Sequence, residues 1–427
     1  MKQIILLFTF LLIQTTKAQT SYFPPLTGSS WDQADFNAFP YDSSYTDSLY
    51  SFLETKGSKA FLVLYDGKIV KEKYFGTFEA DSFWYWASAG KTLAAFLVGQ
   101  AQDQGLLDIG NKVSDYLDTG WTSCTPQQEN KIKVWNLLTM SSGLNGQVPD
   151  EDCTDPSCLT YKGDAGTLWY YHNAPYLLTH AVVESASGKT FQNFTTQSLS
   201  VKTGIYGLWS GNVFYSKPRV AARFGLLMLN GGVWAGDTLL KRRSYFDSMT
   251  TSSQTMNPAY GLLTWLNGKD TMMAPQSTLR LARKLNPEAP DDTYAAMGKN
   301  DQKIYVVPSQ KLVIVRMGND PGDGLLGPSS FDEALWNHIN RWRQVPTGLV
   351  PLEENGKLVY PNPANKWIQL PETTIAARLY DMSGRLVPVE LRDGRLITET
   401  IANGVYFLEV ADIKGIQVVK VVVEHGR

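Results

Sequence analysis

Histidine and cysteine are scarce in this chain, with four of the first and three of the second among 427 residues. The histidines stand at 172, 180, 338 and 425, with no paired spacing among themselves or with Cys124, Cys153 and Cys158. A zinc-type ligand set is therefore not implied. Charge of one sign is also lacking. The formal net charge is −2, which offers no broad pull toward nucleic acid or an anionic membrane. No apolar run reaches the roughly 20 residues that a membrane-crossing helix needs, so no transmembrane segment is expected.

What is present is apolar and aromatic: 43% hydrophobic residues and 12% Phe, Trp and Tyr, enough for a sizeable core. The length suggests two or three domains. At the N-terminus Lys2 precedes an apolar stretch from Ile4 to Ile13 and then Thr16-Lys17-Ala18. That is the layout of a secretory signal peptide over residues 1–18, with a mature chain starting near Gln19. Export places the three cysteines in an oxidising compartment. In CTDPSC (153–158) Pro156 helps bring two sulfurs together. Cys153–Cys158 is the first choice of disulfide, and Cys124 pairing with either one is the rival.

Residues 60–75 (AFLVLYDGKIVKEKYF) read as two strands around an Asp66-Gly67 turn. Helical spacing runs from Lys91 to Gln104, with Gly105 as its stop. Further helices are expected at 131–140, 174–187, 219–230 and 331–343, and a late hairpin at 303–316. Strands first, helices in the middle and strands again near the end predict an α+β domain over 19–343. Residues 344–356 (QVPTGLVPLEENG) form a linker by composition, and 357–427 a small all-β module of short strands and Gly-containing turns.

The stretch WASAGKT (86–92) can be read two ways. A phosphate loop needs Gly five residues before Gly90, where Tyr85 stands. Gly188-Lys189-Thr190 repeats the same incomplete pattern, so nucleotide binding is set aside. In the other reading, Ser88 is a nucleophile and Lys91 its base. Residues three apart at a helix start share one face, and Ser88 is the only serine with lysine three positions on. Free N–H groups at a helix start suit an oxyanion. Nearby Trp84, Trp86 and Phe96 are expected to desolvate Lys91 and favour its neutral form. Downstream, Tyr171-His172-Asn173 supplies a second hydrogen-bonding partner. His172 acting as base for Ser88 is an alternative, without an evident orienting carboxylate.

Five segments in order resemble the serine β-lactamase and penicillin-binding-protein superfamily. The closest likeness is to its class C-like branch of esterases and 6-aminohexanoate-dimer hydrolases. They are WASAGKT, KIKVWNLLTMSSGL, GTLWYYHNAPYLL, VAARFGLLMLNGGVWAGDTLL and YAAMGKNDQKIYVVPSQKLVIVRMG, between Phe61 and about Trp342. Gly298 and Gln302 fit the third-motif strand of that branch. The resemblance implies a β-lactamase/transpeptidase-like fold, an antiparallel sheet flanked by helices with a helical subdomain. It also implies a serine hydrolase that cleaves a small ester or amide through an acyl-enzyme, with no metal or organic cofactor needed. Ser88 would attack, with Lys91 and Tyr171 taking its proton. The N–H groups of Ser88 and Lys299 would hold the oxyanion, and Asn173 would orient Lys91 and the substrate carbonyl. Met297, Gly298 and Lys299 would line the substrate site. Ala296-Met297-Gly298 stands where lactamases carry Lys-Thr-Gly, which disfavours a β-lactam substrate. Lys299 is expected on an extended strand, its side chain projecting elsewhere.

YPNPANKWIQL (360–370), YDMSGRLV (380–387) and GVYFLEV (404–410) resemble a C-terminal sorting domain of type IX secretion. That implies the type IX machinery as partner and a route through the periplasm to the medium or the outer cell surface. A carbohydrate-binding β-sandwich is the other reading of this module. For the larger domain, the other reading is a non-catalytic receptor for peptide or cell-wall fragments.

Overall fold

A computed structural model of the chain describes residues 21–322, 328–343, 361–371, 374, 376–381, 385–412 and 415–425. The expected leader (1–18) and linker (344–356) lie outside these residues. The chain divides into two compact units, one built mainly from Ser44–Arg341 and the other from Trp342–Arg427.

In the larger unit the main sheet is built from β1 (Ser58–Tyr65), β2 (Lys68–Tyr74), β3 (Trp265–Leu266), β4 (Tyr294–Gly298), β5 (Gln302–Val307) and β6 (Leu312–Gly318). They form one sheet in the order β2-β1-β6-β5-β4-β3, with every neighbouring pair antiparallel. Its central strands read as unbroken apolar runs. Phe61, Leu62, Val63 and Leu64 of β1, and Leu312 to Val315 of β6, have no exposed surface, as strands covered on both faces require.

The covering helices are α1 (Thr46–Thr55), α2 (Gly90–Asp103), α3 (Asn173–Ser187), α4 (Pro218–Leu229) and α5 (Ser330–Arg343). Alternation along β5 separates two of them. Ile304 points to α4, where a Cβ added to Gly225 would lie 3.0 Å from it and 2.4 Å from Val313. Tyr305, one residue on, meets Trp336 of α5 edge to face. Successive strand residues face opposite sides, so α4 and α5 cover opposite faces. Glycine at 225 is what lets α4 lie directly on the sheet. Phe52 of α1 stacks on Phe331 of α5 at 5.7 Å, completing that side.

The expected hairpins at 60–75 and 303–316 are present, as are four of the five helices, to within a residue or two at each end. The helix expected over 131–140 is shorter, Val134–Leu138. Lys133 is extended before it, and Met140 takes φ 55° after it; a left-handed position ends an α-helix. The loop that follows is tied by the disulfide Cys153–Cys158, while Cys124 remains a thiol. The rival pairings of Cys124 are thereby set aside.

The smaller unit contains β7 (Trp367–Gln369), β8 (Ala376–Tyr380), β9 (Leu386–Val387), β10 (Glu390–Arg392), β11 (Arg395–Ile397), β12 (Gly404–Asp412) and β13 (Gly415–Val423). They form two antiparallel sheets, β7-β11-β10 and β9-β8-β12-β13. Ile368, Leu379, Leu396, Leu408 and Val421 make a core of its own.

Candidate active site

The turn before α2 starts with strain. Ala87 adopts φ 47°, a left-handed position that costs a non-glycine residue on the order of 1 kcal/mol. Trp86 holds the turn from below. Its backbone N–H donates to Phe214 O at 2.8 Å, its indole N–H donates to Ser216 Oγ at 2.8 Å, and its ring is buried. The result aims Ser88 into a cavity of about 460 Å³.

One helical turn on, Lys91 comes back to the same place. Its Nζ is hydrogen-bonded to Ser88 Oγ at 2.8 Å, and the residue is only 4% exposed. Its nitrogen lies 4.4 Å from the ring centre of Tyr176 and 5.2 Å from that of Tyr171. Burial pulls its pKa down to about 7, against the opposing charges of Asp152 and Glu151. Near neutral pH about half of the Lys91 amines therefore carry a free lone pair. The desolvating aromatics are not the ones expected from the sequence. Trp86 packs on Phe214 and Phe224, and Phe96 on Phe224. Tyr171 and Tyr176, far along the chain, do the work instead.

Tyr171 is buried, with its ring stacked on Trp265 at 5.8 Å. Burial raises its phenol above the usual range, and a hydrogen bond with Ser88 partly offsets this. The phenol thus keeps its proton at neutral pH and can hand it on or donate a hydrogen bond. Asn173 begins α3 and lines the cavity, its Oδ1 buried without a hydrogen-bond partner among the described residues. His172 is not among the lining residues. Burial pushes its pKa down to about 4, so the geometry does not favour the histidine alternative.

The third wall is β4, and Gly298 decides how close it comes. A Cβ there would lie 2.4 Å from Trp86 O, 2.9 Å from Ala89 N and 3.0 Å from Ser88 N. Only glycine lets this strand end lie against the nucleophile turn. Met297 and Lys299 line the cavity, whereas Gly298, expected to line it too, packs against the nucleophile turn instead. Lys299 is not on an extended strand as expected, but opens the tight turn Lys299–Asp301, in which Asn300 and Asp301 have φ 59° and 53°. Side chains hold that turn. Gln302 Nε2 donates to Asn300 O at 3.0 Å and to Gly318 O at 2.6 Å, and Arg316 donates to Asn300 O at 2.6 Å. Asn300 Nδ2 donates to Tyr85 OH at 2.7 Å. Beneath lies an ionic cluster in which Lys303 Nζ sits 2.9 Å from both Asp301 Oδ1 and Asp332 Oδ2.

The sequence reading missed several of these groups. Lys303 and Arg316 were visible as charges inside apolar strand runs, a signal of a buried pair. Glu151, Asp152, Tyr176 and Gln276 also line the cavity, and no local spacing announces them. Glu151 accepts from Gln276 Nε2 at 2.9 Å, and burial raises its pKa. Trp84 and Trp86, expected beside Lys91, do not line the cavity, and neither does Trp169. Among the described residues no group of three or more His, Cys, Asp or Glu side chains is placed to hold a metal ion.

With this geometry in view, the comparisons with known proteins are specific. Residues 54–223 match the family model described as Beta-lactamase. Residues 358–424 match the one described as Secretion system C-terminal sorting domain. A Bacillus subtilis protein described as a penicillin-binding protein is 25% identical over 161 residues, which cover 34% of this chain and 39% of that one. The match thus spans well under two thirds of that relative. A Bacteroides dorei structure described as a β-lactamase is similar with a TM-score of 0.57 and 16% identity, covering 71% of this chain and 99% of that one. A Bacillus anthracis structure described as a 6-aminohexanoate-dimer hydrolase gives 0.56 and 14%, with 75% and 88% covered. A family VIII carboxylesterase gives 0.53 and 16%, with 73% and 99% covered. At these identities the structural likenesses speak for the fold.

Proposed function

From the match of residues 54–223 to the Beta-lactamase family model and of 358–424 to the secretion-system sorting domain, we propose that the chain is an exported serine hydrolase. It cleaves a small ester or amide through an acyl-enzyme on Ser88. The observation that carries this reading is the 2.8 Å contact between Ser88 and a buried Lys91 whose pKa is pulled down to about 7. A neutral amine at that distance can take the hydroxyl proton as Oγ attacks the carbonyl carbon.

The negative charge that develops on the carbonyl oxygen falls to the N–H groups of Ser88 and Lys299. Gly298 supports this by bringing the β4 end against the nucleophile turn. Donors of this kind typically contribute about 3–4 kcal/mol to transition-state binding. Tyr171, kept protonated by burial, relays a proton to the departing alkoxide or amine, and Lys91 restores it. Water then attacks the acyl-enzyme along the same route in reverse. Asn173, with its unpartnered Oδ1, suits an N–H of the substrate or of Lys91.

The cavity wall favours an uncharged acyl donor. Ala296 and Met297 offer no group for a substrate carboxylate, and Glu151 and Asp152 repel one, although Lys299 also lines the cavity. Nitrocefin should therefore be turned over about 10- to 150-fold less efficiently than a nitrophenyl ester, the loss expected for one missing charge-assisted hydrogen bond.

The experiment for this reading is covalent labelling. A fluorophosphonate should add one mass to the protein, mapped to Ser88, and none to Ser88→Ala. Labelling of a different serine would refute the assignment. The sorting domain implies secretion and attachment at the cell surface. Deleting 357–427 should leave hydrolysis intact and trap the protein in the periplasm.

A further inference from the structure

Exposed large apolar residues are unevenly spread in the hydrolase unit. Phe83, Tyr206, Leu208 and Tyr215 are 55%, 51%, 55% and 36% exposed, and all belong to or border one small sheet. That sheet joins Trp84–Tyr85, Val213–Ser216 and Leu208–Ser210, with Val213–Ser216 in the middle. Its register places Tyr85 opposite Tyr215 and Tyr215 opposite Leu208. The three side chains therefore stand in one row across the strands, about 10 Å from edge to edge at the usual strand spacing.

The two faces of this sheet differ sharply. Phe214, between Val213 and Tyr215, has no exposed surface, and its ring lies 5.0 Å from those of Trp86 and Trp209. That face is core. The opposite face carries Val213 and Tyr215, two residues apart on one side of the strand. Val213 lines the catalytic cavity, together with Gly211 and Asn212 of the same hairpin. At the other end of the row, the Tyr85 hydroxyl accepts from Asn300, next to Lys299. The row thus adjoins the cavity through Val213 and is stiffened by sheet pairing and by Trp86 beneath it. An open apolar face on rigid strands, rimming a cavity, is the form a binding surface takes.

We propose that this row is a subsite for an apolar arm of the substrate, an alkyl or aryl group that leaves the cavity past Val213 and lies over Tyr215, Tyr85 and Leu208. The arm belongs to the acyl group or to the leaving alcohol or amine of the same ester or amide. This proposal rests on Ser88 being the nucleophile, but it makes a separate claim about which esters and amides are preferred. A chain lying on a half-open surface gains about half of the burial free energy of each methylene, or about twofold in kcat/KM per CH2. Six added methylenes should therefore give about 30- to 100-fold.

The test uses the full chain and two ester series. In one, nitrophenyl esters run from acetate to octanoate; in the other, acetate esters of alkyl alcohols run over the same lengths. Each is measured on wild type, Ser88→Ala, Leu208→Thr and the pair Leu208→Thr/Tyr215→Thr, with threonine chosen to keep the strands. The expected result is a rise with chain length in one series, about halved in logarithm by Leu208→Thr and abolished by the pair, while nitrophenyl acetate is cleaved as before. The responding series identifies which side of the bond the arm is on. A flat profile in both series with acetate still cleaved overturns the subsite and leaves the hydrolase reading standing. Loss of all cleavage in wild type, or cleavage by Ser88→Ala, defeats the hydrolase reading instead. If the paired substitution changes the oligomeric state and leaves the chain-length profile alone, the row is a contact between copies of this chain and the subsite is overturned.

Discussion

Lys91 and Lys303 are both buried, 4% and 1% exposed, in the same unit, yet their surroundings drive them in opposite directions. Around Lys91 are a hydroxyl and two tyrosine rings, and burial pulls its pKa down to about 7. Around Lys303, burial pulls the same way, but Asp332 and Asp301 outweigh it and the net shift is upward. Burial alone does not decide the charge of a lysine; the partner does. In the proposed reaction the first lysine is a base. The second is a fixed cation under the turn that carries Lys299.

The largest expected effect follows from breaking the first half of that contrast. Lys91→Met removes the amine hydrogen-bonded to Ser88 and should lower kcat/KM by about a thousandfold or more. Its unfolding free energy should be unchanged or higher, because a desolvated amine is replaced by an apolar chain. Retained activity in this variant would remove Lys91 from the mechanism.

Breaking the second half should act on folding. Lys303→Met leaves Asp301 and Asp332 buried without their cation, at a cost of about 3–5 kcal/mol in denaturant unfolding. Changing both partners as well, with Asp301→Asn and Asp332→Asn, should recover most of the loss. Tyr305 and Ser329, which donate to these carboxylates, can still donate to the amide oxygens. No recovery in the triple variant would mean that the lysine acts by more than its charge.

A smaller effect is expected where β4 meets the nucleophile turn. Gly298→Ala places a methyl group 2.4 Å from Trp86 O. A forced shift of this kind costs about 1–3 kcal/mol, and kcat for a nitrophenyl ester should fall about 5- to 150-fold if transition-state contacts absorb it. A full-rate alanine variant would show that the strand end does not position the oxyanion donors.

How much of this was legible depended on distance along the chain. Ser88 and Lys91 share one helical turn, so their meeting follows from spacing alone. The strands of 60–75 and 303–316 follow from apolar runs around a tight turn. The groups that set the chemistry of Lys91 were not legible. Its immediate aromatic neighbours looked like its solvent shield, but the turn rotates Trp86 into the Phe214–Phe224 core, and Tyr176 arrives from α3. Lys299 was expected to continue a strand. The chain turns there because Gln302 and Arg316 bind the turn carbonyls, a contact made between different strands. Asp332 reaches Lys303 from α5, with no pattern that ties the two.

The two lysines also bend the pH dependence of stability in opposite senses. Lys91 sheds its proton near 7 in the folded chain, but only near its ordinary 10.5 when unfolded. Across that window the unfolded state binds more protons, so this group makes stability rise with pH. The folded value of Lys303 lies above its ordinary 10.5, so its contribution is present below that value and is lost as pH climbs through the folded one.

The most direct test of Lys91 as the base is the pH profile of kcat/KM for a nitrophenyl ester, from about pH 5 to about pH 9. The expected result is a single ascending limb with a midpoint near 7, the value set by burial of Lys91. His172 and His180 are pushed down to about 4 and about 3, too low to produce it. The limb should vanish from the residual activity of Lys91→Met. A flat profile across that range, or the same limb in Lys91→Met, would contradict the assignment of Lys91 as the group that takes the proton of Ser88.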